Sequence, residues 1–97
     1  QQLAELLEGV VEAVLLQHDA VKQAVAVGMA DPRLAEVVAT FVELKPEKHS
    51  NEQELIDYCR QHLASFKVPR KVVFIAAWPM SGAGKIQRYV LKESLPR

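Results

Sequence analysis

The stretch whose residue types and spacing best suit chemistry is Pro79-Met80-Ser81-Gly82-Ala83-Gly84-Lys85, a small-residue loop that delivers one lysine at its end. Two glycines and no bulky side chain between them let backbone N–H groups and an ammonium come close to an anion. A phosphate-cradling P-loop would need glycine where Pro79 stands and serine or threonine where Ile86 stands, so that reading fails. Taken alone, the loop leaves open whether Lys85 is an anion-binding group or an ordinary exposed lysine. The remaining candidates read as structural. Cys59 and His62 lie three apart, but no second pair at metal-ligand spacing accompanies them, so they read as a buried thiol beside a surface imidazole with no metal site. His18 stands where a first helix ends and is placed to meet its last carbonyls. His49 belongs to a turn facing solvent. Glu36, without a paired acid or base, reads as a strand residue. Trp78 is expected to pack beneath the lysine loop.

These residues need elements to hold them. Apolar residues at Leu3, Leu6, Leu7, Val10, Val14 and Leu15 follow the i, i+3, i+4 rhythm of an amphipathic helix, with Glu5, Glu8 and Glu12 assigned to its solvent face. The run Val21 to Met29 reads as a strand closed by Gly28 and Asp31-Pro32. A second strand alternates Val38, Thr40, Val42 and Leu44 with Val37, Ala39, Phe41 and Glu43, and Pro46 ends it. The pair reads as an antiparallel hairpin. Ser50-Asn51-Glu52-Gln53 fits a capping box that opens a second helix, whose buried stripe is Leu55, Ile56, Cys59 and Leu63. Val72, Val73, Phe74 and Ile75 form a third strand, Gly82 and Gly84 give a flexible loop, and a last helix runs from Ile86 to Ser94. The order helix, strand, strand, helix, strand, loop, helix defines an α+β domain with helices packed on a small sheet of about three strands.

Composition narrows the function classes. The chain has 97 residues, with twelve basic and twelve acidic side chains, and a net charge of zero excludes a nucleic-acid binder that works by bulk electrostatics. The charge is unevenly spread: residues 1–66 hold 5 Lys/Arg against 11 Asp/Glu, and residues 67–97 hold 7 against 1. A single cysteine and the lack of a long apolar span or secretory leader point to a reducing, cytoplasmic setting and to no transmembrane segment. So short a chain has one modest core, and a complete two-substrate active site within it is unexpected.

A longer match covers Val11 to Lys92. Val11-Glu12-Ala13-Val14-Leu15 with His18 and Val21, then Val25-Ala26-Val27-Gly28 with Asp31 and Glu36, then Leu63-Ala64-Ser65-Phe66-Lys67-Val68-Pro69-Arg70, and finally Pro79 through Gly84-Lys85-Ile86-Gln87-Arg88 occur in characteristic order. In these the chain resembles the small C-terminal subdomain of the AMP-forming acyl-CoA synthetases, the adenylate-forming superfamily that includes luciferase and peptide-synthetase adenylation domains. The resemblance implies that residues 1–97 form a lid subdomain, that Lys85 is the catalytic lysine, and that Ser81, Gly82 and Gly84 shape its loop. It also implies ATP and magnesium held mainly by an N-terminal domain, a carboxylic acid substrate, and coenzyme A or a carrier protein as acceptor.

The chemistry suits the residue. Joining a carboxylate to the α-phosphate of ATP gathers negative charge, and one fixed ammonium between the partners relieves it, an effect of about 2.7–4 kcal/mol for a well-placed donor. By the resemblance, one orientation of the lid inserts the lysine and another opens the path for the thiol. Lys67, Arg70, Lys71, Arg88 and Lys92 read first as a solvated face. As functional groups, Lys67, Arg70, Lys71 and Arg88 are candidate contacts to the coenzyme, to a carrier or to the larger domain. The chain departs from the family at Ala35, where glycine is usual before Glu36, and at Asp19, where proline is usual. The hinge and N-terminal motifs are not in it, so the chain alone is expected to be inactive. Lys67-Val68-Pro69-Arg70 and Lys85-Ile86-Gln87-Arg88 favour an acid–CoA ligase. The alternatives are an adenylation domain that loads a carrier and a noncatalytic binding module of the same fold.

Overall fold

The structure, a computed structural model, describes residues 2–31, 35–64 and 67–95, with side chains for 9–28, 37–64 and 67–95. Expectations placed on the side chains of Leu3, Glu5, Leu6, Leu7, Glu8 and Glu36, and on Pro32, Ser65 and Phe66, lie outside these residues. The chain order is α1 (Gln2–Leu16), β1 (Val21–Asp31), β2 (Ala35–Leu44), α2 (Glu52–His62), β3 (Lys71–Phe74) and α3 (Arg88–Glu93). This is the expected α+β order, with the lysine loop between β3 and α3.

The three strands lie in the order β1-β2-β3. Strands β1 and β2 form the expected antiparallel hairpin, and β3 joins β2 in parallel, from Ala39↔Lys71 to Val42↔Phe74. That parallel step follows from the α2 crossover, which returns the chain to the starting end of the sheet. A register shift between Val21 and Gln23 inserts one extra residue into β1. It puts Val21 on the same face as Ala24 and Ala26, against α1 and α2.

Both faces of the sheet are covered, which is why β2 reads as nearly continuous apolar sequence rather than polar alternation. On one face Val11 and Leu15 of α1 and Leu55 and Cys59 of α2 meet Ala24, Ala26, Val42 and Val72. On the other, Val25, Val27, Ala39 and Phe41 carry Leu91 of α3 and Leu95 just beyond it, with Trp78 and Ile86 packed alongside. The lysine loop therefore rests on the α3 face.

Several expected boundaries shift. Gly28 sits inside β1, paired with Val38, rather than closing it, because the hairpin continues to Asp31↔Ala35. Helix α3 begins at Arg88, not Ile86, since Ile86 is held in an antiparallel bridge to Met80. The cap of α2 is Asn51 rather than Ser50: its Oδ1 accepts from the Glu54 N–H at 2.8 Å, while Ser50 Oγ donates to Glu54 Oε1 and Gln53 Nε2 to Asp57 Oδ1. Asparagine and serine cap about equally well, so one residue of chain geometry decides. Val10 is 39% exposed and outside the apolar stripe. Asp19 is exposed and paired with Lys48 at 3.1 Å, and both the hydrogen bond and the charge hold its carboxyl below the ordinary range.

Burial pushes the Cys59 thiol up to about 11. The sign follows: the thiol is neutral in the fold, so its contribution is intact below pH 9 and is lost as pH rises through about 11, a change on the order of 2 kcal/mol. Unfolding titrations of the wild type and a Cys59→Ala variant at pH 8 and pH 11 should show the wild type losing more stability over that interval. An identical loss in both would remove Cys59 as the source.

Candidate functional site

The segment Pro79–Arg88 is a closed turn rather than the flexible loop its glycines suggest. Ser81 N–H donates to Lys85 O at 2.8 Å, Gly84 N–H to Ser81 O at 2.9 Å, and Gln87 N–H to Pro79 O at 2.8 Å. Ser81 Oγ accepts from the N–H groups of Ala83 and Lys85, each at 3.3 Å, a local side-chain to backbone arrangement that favours turns. The legs of the turn meet at the Met80–Ile86 bridge, and its base is the apolar contact of Ile86 and Trp78 with the sheet. Trp78 packs on the same apolar cluster as Ile86, and its Nε1 donates to Glu43 Oε1 at 2.8 Å.

Gly84 has φ 79°, in the left-handed region, whereas Gly82 carries no such requirement and a Cβ on either would meet nothing within 4 Å. Alanine at position 84 is therefore opposed by backbone conformation alone, by about 1–2 kcal/mol. If the turn moves to relieve that strain, the lysine moves with it. In Gly84→Ala, amide exchange at Ser81 and Gln87 should quicken by about tenfold, the factor that corresponds to roughly 1.4 kcal/mol, with Gly82→Ala unchanged. Equal effects of the two would remove the conformational reason.

Lys85 is exposed and, among the described residues, its ammonium has no ion-pair partner. It opens on a shallow depression of ≈ 490 Å³ bordered by Glu12, Val25, Met80, Gly84 and Arg88. The one carboxylate on that border, Glu12, is occupied: Arg88 Nη1 lies 2.8 Å from its Oε2 and Nη2 3.2 Å from its Oε1. An ammonium with no ion-pair partner among the described residues, on a hydrogen-bonded turn and beside a carboxylate already paired with Arg88, can receive an anion brought from outside.

The basic residues of the last third do not form one face. Arg70 borders a groove with Arg60, Ile56, Val68 and Pro69 beside α2, and Lys71 opens β3 at the sheet edge opposite β1. Arg88 is held by Glu12 and by the Ala26 carbonyl, to which its Nη1 donates at 2.8 Å. Lys67 and Lys92 both have interaction partners. The imidazoles stand apart from the lysine. His18 Nδ1 accepts from the Ala20 N–H at 3.1 Å, so it ties the turn into β1 instead of meeting helix carbonyls. His62 packs against Tyr58 with the rings tilted by 50° and their centroids 4.6 Å apart, and His49 is exposed. Cys59 is fully buried.

Glu12 is the site residue that sequence periodicity missed. Placed on the solvent face of α1, it is only 17% exposed and accepts from the Ala26 N–H at 2.7 Å. At 3.6 residues per turn it lies about 60° from Leu15, on the border of the apolar stripe. Its partners are 14 and 76 residues away, which no local pattern reports.

The fold is thus an α+β sheet covered on both faces, with Lys85 presented on a hydrogen-bonded turn. Comparison with known proteins gives it a family. Residues 10–85 match the model of the AMP-binding enzyme C-terminal domain, and the chain belongs to that family. It is 36% identical over 86 residues to an oxalate–CoA ligase of Saccharomyces cerevisiae, covering 89% of this chain and 16% of that protein. It is 42% identical over 83 residues to a 3-[(3aS,4S,7aS)-7a-methyl-1,5-dioxo-octahydro-1H-inden-4-yl]propanoyl:CoA ligase of Mycobacterium tuberculosis, covering 86% and 16%. Among solved structures, the acyl-CoA synthetase of Brucella canis superposes with a TM-score of 0.81 at 36% identity, over 90% of this chain and 17% of that one. The chain thus spans about a sixth of the length of these relatives.

Proposed function

We propose that the chain is the mobile C-terminal subdomain of an ATP-dependent acid–CoA ligase and supplies Lys85 to the adenylation step. The observation that carries this reading is the Lys85 ammonium on its closed turn, without an ion-pair partner among the described residues. In that step a carboxylate oxygen attacks the α-phosphorus, the bond to the β-phosphate oxygen breaks, and pyrophosphate leaves with its electron pair. Lys85 sits against both anions and stabilises the charge as it develops. A compact ammonium on a long stem suits delivery from a separate body. In the second step the thiol of coenzyme A attacks the acyl carbon and AMP leaves, with the lid turned so that Lys85 is withdrawn.

The larger N-terminal domain is the partner that holds ATP and the acid. Magnesium would be held there with the ATP phosphates; among the described residues of this chain no group of three His, Cys, Asp or Glu is arranged to hold a metal. The groove of Arg60 and Arg70, with Lys71 nearby, is the surface assigned to phosphates of the thiol acceptor. No helix among the described residues is long and apolar enough to cross a membrane. We assign the enzyme to the cytoplasm, a setting compatible with the free Cys59 thiol.

The test is an ATP-dependent pyrophosphate-release screen of the intact enzyme across carboxylic acids, followed by acceptor competition between coenzyme A and carrier proteins. Acid-dependent release with thioester formed on coenzyme A supports the reading. Release with transfer only to a carrier selects the carrier-loading alternative, and no release with any acid selects a noncatalytic module.

A further inference from the structure

We propose that the Glu12–Arg88 pair, seated on the free edge of β1 at Ala26, positions Lys85 for reaction; this rests on the adenylation reading above. Strand β1 is an edge strand, so its outward backbone groups have no neighbouring strand among the described residues. Ala26 turns both of its polar groups that way. Its N–H donates to Glu12 Oε2 at 2.7 Å and its carbonyl accepts from Arg88 Nη1 at 2.8 Å. The guanidinium also spans both Glu12 oxygens, at 2.8 and 3.2 Å. One planar fork thereby joins α1, β1 and the start of α3 at a single point, three residues after Lys85.

The other restraints on the lysine act within the turn or on its far leg. Hydrogen bonds inside the turn fix its shape but not its orientation on the sheet. Ile86 anchors its base by apolar contact, which is non-directional, and the Trp78 Nε1 bond to Glu43 Oε1 holds the leg that enters the turn, seven residues before Lys85. Helix α3 has six residues and its N-cap, Gln87, makes no side-chain capping bond, so the helix does not orient its own first turn. The Arg88 fork is the directional contact at that junction.

Stability is a weak reason for the pair. Arg88 is 50% exposed, a setting in which an ion pair adds only about 0–1 kcal/mol, and edge groups can otherwise be met by water. Geometry is the stronger reason, since a displacement of about 1 Å at a reacting group can lower a rate by about 10²-fold. Arg88 and Glu12 are positioning residues and touch no substrate in this account.

Arg88→Lys keeps the charge and loses the fork; Glu12→Gln keeps an acceptor for the Ala26 N–H and loses the charge. In the intact enzyme each should lower kcat for adenylate formation by roughly 10- to 100-fold, with KM for ATP and acid within about twofold. Thioester formation from supplied acyl-adenylate should be unchanged. The double variant should be no worse than the poorer single one, the sign of residues acting as a unit. A raised KM with kcat intact, equal loss in both half-reactions, or additive losses would overturn the proposal.

Amide hydrogen exchange separates this from a failure of the functional reading. Exchange at Ser81, Gly84 and Gln87 should quicken about tenfold or more in Arg88→Lys, with the sheet core unaffected. Unchanged exchange overturns the positioning role, whatever the kinetics. Quickened exchange in an enzyme where Lys85→Ala leaves adenylation intact would uphold the clamp on the turn and sink the role of Lys85.

Discussion

Lys85→Ala should lower acyl-adenylate formation by the intact enzyme by about 10²–10³-fold, the range found when one preorganised electrostatic donor is removed from a site of developing charge. The prediction follows from where the lysine stands. Its ammonium has no carboxylate partner among the described residues, so no internal ion pair must break before it meets an anion. Its backbone is held on both sides, by the Lys85 carbonyl bond to Ser81 and by the Gln87 bond to Pro79. Lys85→Arg keeps a positive charge but broadens it into a planar fork, and a site shaped for a point charge between two anions should recover only a fraction of the rate. Binding of ATP to the larger domain should change little in either variant.

Phe41→Ala should destabilise the fold by about 3–5 kcal/mol, the usual range for an aromatic lost from a packed core. Phe41 is 2% exposed and among the largest fully enclosed side chains, in the cluster that also holds Val25, Val27, Leu91 and Leu95. Isolated helices much shorter than about 12 residues do not hold themselves together in water, so α3 depends on this face. Loss of Phe41 should therefore loosen α3 and the lysine turn before it disturbs the α1–α2 face, which has its own cluster. Phe74→Ala makes the contrast, since that residue is 39% exposed and should change stability by less than about 1 kcal/mol. Chemical denaturation of the three proteins, read beside adenylation rates, checks both parts. A Phe41→Ala protein with wild-type stability would contradict the packing described for the α3 face.

The parts of this molecule that were legible in sequence are those governed by local rules. The apolar, β-branched run Val37–Leu44 and the helical stripe of Leu55, Ile56 and Cys59 each depend on neighbours within a few residues. Lys85 stood out because a short small-residue loop frames it. Effects that depend on distant partners were not legible. Gly28 looked like a strand end, yet Val38 continues the ladder across from it. Glu12 looked like a solvent residue because its acceptor role is completed by Ala26 and Arg88 from elsewhere in the chain. Arg88 looked like one more charge on a basic face for the same reason. The zero net charge and its uneven spread gave the right sign for the lysine loop, but not the separation of Arg70 and Lys85 onto different parts of the surface.

In the proposed function this domain delivers Lys85 to one half-reaction and not the other. Single-turnover kinetics of the intact Lys85→Ala enzyme test it most directly, with acyl-adenylate formation followed from ATP and acid, and thioester formation followed from supplied acyl-adenylate and coenzyme A on the same preparation. The first rate should fall by about 10²-fold or more, with the second within a fewfold of wild type. Equal loss in both rates, or an intact first rate, would contradict it.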